Sequence, residues 1–162
     1  MNIANELNEL NKIVDKSIAR REKLLNVLEL HKAIDVLVDI NKKNRLCKDQ
    51  LSSIEYLMSQ CTIRCAAGRN IGKTSYIGTH ATIQDLIFVP NFYIKKGFLE
   101  QYGDLLKNNI TTFNDLEFIR GRDFLNVYID EPKLCFQNYD KTLFYQNISN
   151  SRGEHTIIML GE

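Results

Sequence analysis

The sequence predicts an α/β fold in which a mostly parallel central sheet is flanked by helices and preceded by an N-terminal helical segment. Residues 1–43 contain neither proline nor glycine, and their apolar side chains recur at helical spacing. Beyond them, apolar runs of strand length alternate with segments of helical periodicity, which is typical of a parallel sheet with crossover helices. We therefore divide the chain into a helical segment, residues 1–45, and an α/β domain, residues 46–162.

The composition is that of one ordinary globular domain. The chain has 162 residues, 44% of them hydrophobic and 25% charged, and its net charge of +1 provides no global field for nucleic-acid binding. No apolar run approaches the roughly 20 residues that span a membrane, and residues 1–7 lack the pattern of a signal peptide. We expect a protein of the cytoplasm without membrane contact, and we expect its four cysteines to be reduced.

The N-terminal segment predicts one long helix or two shorter ones. Its apolar positions form two sets separated by the charged residues 20–23: Ile3, Leu7, Leu10, Val14 and Ile18, then Leu24, Leu28, Ile34, Leu37 and Val38. The spacing is not a clean heptad, because Arg21 and His31 would interrupt one. We prefer an amphipathic element that packs on the following domain, and the alternative is a coiled coil or a partner-binding arm.

A further helix is expected within residues 46–58, after a polar junction at residues 41–44. Gln50 lies near its start, 22 positions before Gly72. An amide is both a hydrogen-bond donor and an acceptor, so Gln50 is a candidate to bind adenine. An isolated glutamine is more often a surface residue, and the position carries little weight by itself.

The segment with the clearest chemistry is a loop between an expected strand, residues 61–67, and an expected helix, residues 75–81. The loop consists of Gly68, Arg69, Asn70, Ile71, Gly72, Lys73 and Thr74, and Ser75 begins the helix. This order is that of a phosphate-binding loop, whose backbone N–H groups and helix N-terminus hold anions. Lys73 would reach the β- and γ-phosphates, and Thr74 would ligate Mg²⁺. Ala67 replaces the first glycine of the usual pattern.

The remaining apolar runs predict strands at residues 85–89, 116–119, 124–130 and 156–160. Residues 91–109 and 132–147 are expected to form loops and helices, and residues 120–123 a turn.

Asp130 and Glu131 end the apolar strand that begins at residue 124. Ligands of open α/β sheets bind at the carboxyl ends of the strands, so both carboxylates are expected beside the phosphate loop. Asp130 would complete the Mg²⁺ shell, and Glu131 would polarise the attacking water as a general base. Loop and strand together predict binding and hydrolysis of ATP with Mg²⁺.

Four segments together resemble the ATPase domain of tailed-phage terminase large subunits, the motors that package viral DNA. Residues 48–50 resemble that family's adenine-contacting glutamine motif. Residues 63–74 resemble its variant phosphate loop, in which an arginine stands three positions before the glycine of Gly-Lys-Thr. Residues 119–131 resemble its Arg-Gly turn and Asp-Glu strand, and residues 149–159 the start of its coupling strand. The resemblance covers residues 46–162.

The resemblance implies a P-loop NTPase of the ASCE type that moves double-stranded DNA in the host cytoplasm, usually as a homo-oligomeric ring. By position, Gln50 would contact adenine, and Arg69 would sense or stabilise the γ-phosphate, unless Arg69 instead pairs with a carboxylate and braces the fold. Arg152 would be a further charge-stabilising residue. The implied partners are a portal, a small terminase and a separate nuclease, because this chain lacks the acidic cluster of a two-metal nuclease.

The sequence departs from that family in two further respects. The interval from Lys73 to Asp130 is short, which predicts a trimmed sheet, and Gly-Glu follows residue 160 where a Ser/Thr-rich ending is expected. We therefore expect a minimal or C-terminally truncated domain without nuclease activity. Two other functions stay open. One is another P-loop motor, helicase-like or helicase-loading, and the other is a nucleotide-binding interaction module with little turnover.

Overall fold

The computed structural model describes residues 3–46, 49, 51–68, 72–103, 106–114 and 119–162. The elements within these ranges are, in chain order, α1 (Ile3–Lys43), α2 (Ser53–Gln60), β1 (Thr62–Cys65), α3 (Lys73–His80), β2 (Leu86–Val89), α4 (Phe92–Tyr102), β3 (Ile110–Thr112), β4 (Asn126–Asp130), α5 (Pro132–Cys135), α6 (Lys141–Ser149) and β5 (Thr156–Leu160). The N-terminal segment is therefore one long helix.

The strands form one sheet in the order β1-β5-β4-β2-β3, and every neighbouring pair is parallel. The predicted class, a parallel sheet flanked by helices after a long N-terminal helix, is confirmed. Because these strands run in one direction, their carboxyl ends share one edge of the sheet. The loop after β1 and the carboxylates at the end of β4 therefore lie at the same edge, with β5 between the two strands.

Alternate strand residues enter two hydrophobic layers. In β4, Val127 and Ile129 belong to the layer that includes residues of α2, α5 and α6, whereas Tyr128 belongs to the layer of α1, α3 and α4. Every residue of β2 and of β5 is buried. A sheet covered on both faces explains why these strands are continuous apolar runs in the sequence.

One expected strand is not found where the sequence placed it. Of residues 116–119, the first three lie outside the described residues, and Ile119 belongs to a short helical turn. The strand at the edge of the sheet beside β2 is β3 at Ile110–Thr112, which the sequence analysis left without an assignment. Gly103, with a φ of 88°, follows the last residue of α4, and a positive φ of this kind favours glycine.

Helix α1 has two parts with different surroundings. Residues 5–26 are all exposed, and we call them the arm. From Val27 onward, the helix packs on the domain through side chains that recur at helical spacing, with Ile34 fully buried. None of the helices in the described part of the chain, α1 included, is apolar enough over a sufficient length to cross a bilayer.

Candidate functional site

Helix α3 begins at the carboxyl edge of the sheet, directly after Gly72. The φ of Gly72 is 100°, in the left-handed region, and its carbonyl accepts a hydrogen bond from the Tyr76 N–H at 2.8 Å. A Cβ atom at position 72 would lie 2.8 Å from Cγ1 of Val27 in α1. Glycine is therefore required here both by the backbone conformation and by the close approach of α1.

Lys73 places a buried ammonium group between the loop and the sheet edge. Its Nζ donates to the carbonyl of Ala67 at 3.1 Å and pairs with Oε1 of Glu131 at 2.5 Å. The side chain of Lys73 is almost fully buried, whereas that of Glu131 is partly accessible. Lys73 thus links the beginning of the loop to the residue that follows β4.

Glu131 has a strained backbone. Its φ of 51° is the only positive φ of a non-glycine residue in the described ranges, and this conformation costs roughly 1–2 kcal/mol. Its N–H donates to Leu160 O, and its carbonyl accepts from the N–H groups of Leu134 and Cys135. Such strain persists where surrounding contacts over-determine it, and it is concentrated at functional sites.

Gly161 makes room for the Glu131 carboxylate. A Cβ atom at position 161 would lie 2.6 Å from Oε2 of Glu131 and 3.0 Å from its Cα. The sequence analysis treated the Gly-Glu ending after β5 only as a departure from the terminase pattern and missed this contact. The available signal was a glycine directly after a buried strand, at the edge where the site was expected.

Asp130 is a buried carboxylate with too few partners. Its Oδ2 accepts a hydrogen bond from Thr74 Oγ1 at 3.1 Å. Its Oδ1 is the only buried side-chain oxygen or nitrogen in the described ranges that has no hydrogen-bond partner. The buried Asp85, by contrast, accepts four hydrogen bonds, two from Thr82 and two from Asn126. Buried polar atoms are normally satisfied, so the orphaned Oδ1 needs an explanation.

The environment of Asp130 favours a cation at this carboxylate. Burial raises the pKa of Asp130 above its ordinary value, and the Glu131 charge raises it further, while the Thr74 hydroxyl and Lys73 act in the opposite direction. A threonine hydroxyl and a carboxylate are hard oxygen ligands of the kind that Mg²⁺ takes, so Thr74 and Asp130 fit that ion. The described residues contain no cluster of three or more His, Cys, Asp or Glu side chains that could hold a metal. Proteins usually bind Mg²⁺ through one or two carboxylates and substrate phosphates, without such a cluster.

Helix α1 supports the loop, which the sequence analysis did not anticipate. His31 Nε2 lies 3.2 Å from Gly72 O, and because only an N–H can donate to a carbonyl, this contact requires the proton on Nε2. The His31 ring packs edge-on against Tyr76 and His80. The Tyr76 hydroxyl donates to Asp35 at 2.8 Å; burial and this bond raise the pKa of Tyr76, so the hydroxyl remains a donor. In the sequence, His31 was only an interruption of the apolar pattern.

If the site binds ATP as the sequence predicts, the replacement His31→Ala should weaken that binding by about three- to tenfold. The hydrogen bond from His31 stabilises the position of Gly72 by roughly 1 kcal/mol, and the variant loses it. Titration of the protein with a fluorescent ATP analogue measures this affinity. The neighbouring exposed residue provides the control, Lys32→Ala, which should bind as wild type does. Equal losses in both variants would show that His31 does not position the loop.

The structure brings together four of the predicted site residues, Lys73, Thr74, Asp130 and Glu131. Gly68 is exposed, and Ser75 lies in the first turn of α3. The predictions for Gln50, Arg69, Asn70 and Ile71 fall outside the described residues.

Arg152 lies away from the other predicted site residues of the same chain. It is exposed in the turn before β5, at the amino end of a parallel strand and therefore at the opposite edge of the sheet.

A cavity of about 390 Å³ opens beside the site, on the side of the sheet covered by α5 and α6. Its lining includes Ala66 before the loop, Pro132 and Gly161 next to Glu131, and the apolar side chains of Phe136 and Met159. This volume lies within the range of small-molecule pockets.

The residues of the site come from segments far apart in the sequence, and the parallel sheet is what brings them to one edge.

The chain matches no protein-family model, and neither characterised proteins nor solved structures show significant similarity to it. The function therefore has to be inferred from the chemistry of the site itself.

Proposed function

We propose that the protein binds ATP with Mg²⁺ and hydrolyses it, as a motor domain of the terminase-large-subunit type. One observation carries the proposal. The buried carboxylate of Asp130, which has one oxygen without a hydrogen-bond partner, accepts a hydrogen bond from the Thr74 hydroxyl next to the ion pair of Lys73 with Glu131. An isolated Gly-Lys-Thr or Asp-Glu sequence is common. Their meeting at one sheet edge, in hydrogen-bond contact, supports the proposal, because a phosphoryl-transfer site needs these side chains together.

The side chains have separate tasks in this proposal. Lys73 would exchange its contact with Glu131 for the β- and γ-phosphate oxygens of ATP, which frees the Glu131 carboxylate to accept a proton from water. Thr74 and Asp130 would hold Mg²⁺, which neutralises charge on the phosphates when it is bound. The partly accessible position of Glu131 allows water to reach it.

The cavity beside the site offers a place for the nucleoside. Phe136 and Met159 supply apolar surface for a base. A base held there would keep the triphosphate at the carboxyl edge of β1 and β4. Gln50 as the adenine contact is proposed from the resemblance alone.

The movement of double-stranded DNA, a ring of subunits, and the portal, small-terminase and nuclease partners are proposed from the resemblance of the motifs alone. In a ring, the exposed Arg152 could act only on a neighbouring subunit or on DNA, because it lies at the edge of the sheet away from its own site. Arg69 remains the candidate that would act on the γ-phosphate within the chain.

Steady-state ATP hydrolysis by the full chain, with and without duplex DNA, tests this function. We expect measurable ATP turnover that requires Mg²⁺ and rises several-fold with duplex DNA. The variant Lys73→Ala should be inactive and serves as the negative control. ATP turnover that duplex DNA does not stimulate would contradict the proposed DNA motor but would leave the proposed ATPase activity standing. Absence of ATP binding in the wild-type protein would contradict the whole proposal.

A nucleotide-binding interaction module is the second candidate, and the exposed arm favours it because an arm of this kind is suited to partner binding. It differs from the motor in one measurable respect. Binding of ATP that depends on Lys73, with no hydrolysis under any condition, would support the module.

A further inference from the structure

We propose that the arm of α1 pairs with the arm of a second copy of this chain in an antiparallel arrangement. The surface involved is an apolar row that we call the arm stripe: Leu7, Leu10, Val14, Ile18, Leu25 and Leu28. Each of these side chains is between 47% and 58% exposed. This proposal does not depend on the ATPase function, because it is argued from exposed side chains of α1 alone.

The arm stripe faces away from the domain to which it is attached. At about 100° per residue, its members fall within roughly 80° of the helix circumference. The face that docks on the domain, with Val27, Ile34 and Val38, is centred roughly 140° away. The stripe continues to Leu28, where α1 already touches the domain, so the docked helix cannot bury the stripe against its own chain.

The exposed area is large enough for a stable pair. Six half-exposed side chains, flanked by Ile13 and Leu24, present on the order of 800 Å² of apolar surface, whereas a typical monomer shows patches of a few hundred. Two such surfaces in contact would bury on the order of 1,200 Å², the lower bound of specific interfaces. A helix of this length is marginal by itself in water, and packing of its apolar face would stabilise it.

The spacing of the arm stripe fits a second copy in antiparallel orientation. When Leu7 lies opposite Leu28, Leu10 lies opposite Leu25 and Val14 opposite Arg21, twice by symmetry. The two stripes therefore overlap along their whole length.

Arg21 lies within the arm stripe and also favours the antiparallel pair. In the sequence it stands between the stripe residues Ile18 and Leu25, and its side chain falls in the same angular sector of the helix. A parallel in-register pair would place Arg21 against Arg21, which is a like-charge contact in an apolar seam. An antiparallel pair with aligned stripes places Arg21 opposite Val14 of the second copy, and a polar residue in such a seam specifies orientation.

A membrane surface is a poorer partner for the arm. The five basic and four acidic residues between 5 and 26 give a net charge of only +1. Helices that lie on membranes carry a polar face rich in Lys and Arg.

The mass of the full chain in solution tests the pairing. Sedimentation equilibrium at micromolar concentration should give twice the 18.8 kDa of one chain. The double variant Leu10→Glu, Val14→Glu should weaken association at least about tenfold. The matched control Asn8→Glu, Ala19→Glu adds the same charge on the opposite, exposed side of the arm and should remain dimeric. Thermal melting of the domain and circular dichroism of each variant show that the fold is kept.

A glutamate introduced at position 14 tests the orientation. In the antiparallel pair, Val14→Glu faces Arg21 of the second copy and should weaken association several-fold less than Leu10→Glu, and adding Arg21→Ala should remove that difference. In a parallel in-register pair, each new glutamate would face its own counterpart, so the two variants would weaken association equally whether or not Arg21 is present. That result, or a monomeric wild-type protein, or equal losses in the stripe variant and its control, would overturn the proposal. Binding to anionic vesicles by a protein that stays monomeric would overturn it as well.

Discussion

Replacement of Glu131 by glutamine is expected to lower ATP turnover about a thousandfold, while MgATP binding stays as tight as in the wild type or becomes tighter. A general base contributes typically 10²–10⁴ in rate, and a neutral amide cannot accept the proton of the attacking water. Affinity should not fall, because Glu131 pairs with Lys73 at 2.5 Å and competes with the phosphates for the same ammonium group. Single-turnover hydrolysis and nucleotide titration measure the two effects separately.

The matched control for this variant is Glu154→Gln, which makes the same chemical change at an exposed position near the opposite edge of the sheet. It should hydrolyse ATP at the wild-type rate. Normal turnover by Glu131→Gln would remove Glu131 as the base. A loss of affinity as large as the loss of rate would mean that Glu131 holds the loop together and has no separate chemical role.

The replacement Asp130→Asn should abolish Mg²⁺-dependent hydrolysis and at the same time stabilise the ligand-free protein by about 1 kcal/mol at neutral pH. Asp130 is almost fully buried and has one unsatisfied oxygen, so its charge is costly without a cation. An amide of the same shape removes this charge but is a much weaker ligand of Mg²⁺. Thermal melting without nucleotide, and ATP hydrolysis with Mg²⁺, test the two effects.

The stabilisation should depend on pH in a defined direction. Burial raises the pKa of Asp130, so between the ordinary pKa and the raised one the folded protein holds a proton that the unfolded chain has released. The contribution of this group to stability therefore decreases as the pH rises through that interval. The difference in stability between Asp130→Asn and wild type should be largest at neutral pH and shrink towards acid pH.

The control for this prediction is the other buried aspartate. Asp85→Asn should destabilise the protein, because the Asp85 carboxylate accepts four hydrogen bonds, including one from a backbone N–H of Asn126 and one from its side-chain amide. If Asp130→Asn destabilised the protein as much as Asp85→Asn does, Asp130 would be a structural residue and not a ligand of a cation.

The local pattern of the sequence was sufficient for the strands that build the site. β2, β4 and β5 lie within the apolar runs that predicted them, because both faces of the sheet are covered and the strands need apolar residues throughout. The edge strand β3 could not be predicted in this way. It has only three residues, Ile110–Thr112, too few to show a period that distinguishes strand from loop.

The motifs also predicted which residues meet at the centre of the candidate site. Lys73, Thr74, Asp130 and Glu131 meet because parallel strands end at a common edge, a rule that needs no coordinates. The same rule would have placed Arg152 away from the site, since it precedes a strand instead of following one. The adenine contact of Gln50 and the γ-phosphate contact of Arg69 remain predictions.

The sequence by itself determined the α/β class, the Gly-Lys-Thr sequence at the start of a helix and the pair of carboxylates after a strand, because these depend on local periodicity and on residue type. Only the tertiary structure decided that Val27 and His31 cover Gly72, that Gly161 makes room for Glu131, and that the arm stripe is left exposed. The physical reason is that these contacts join residues distant in the chain. A helix shows in its sequence that it has apolar faces, but which face docks and which stays free depends on the surface it meets.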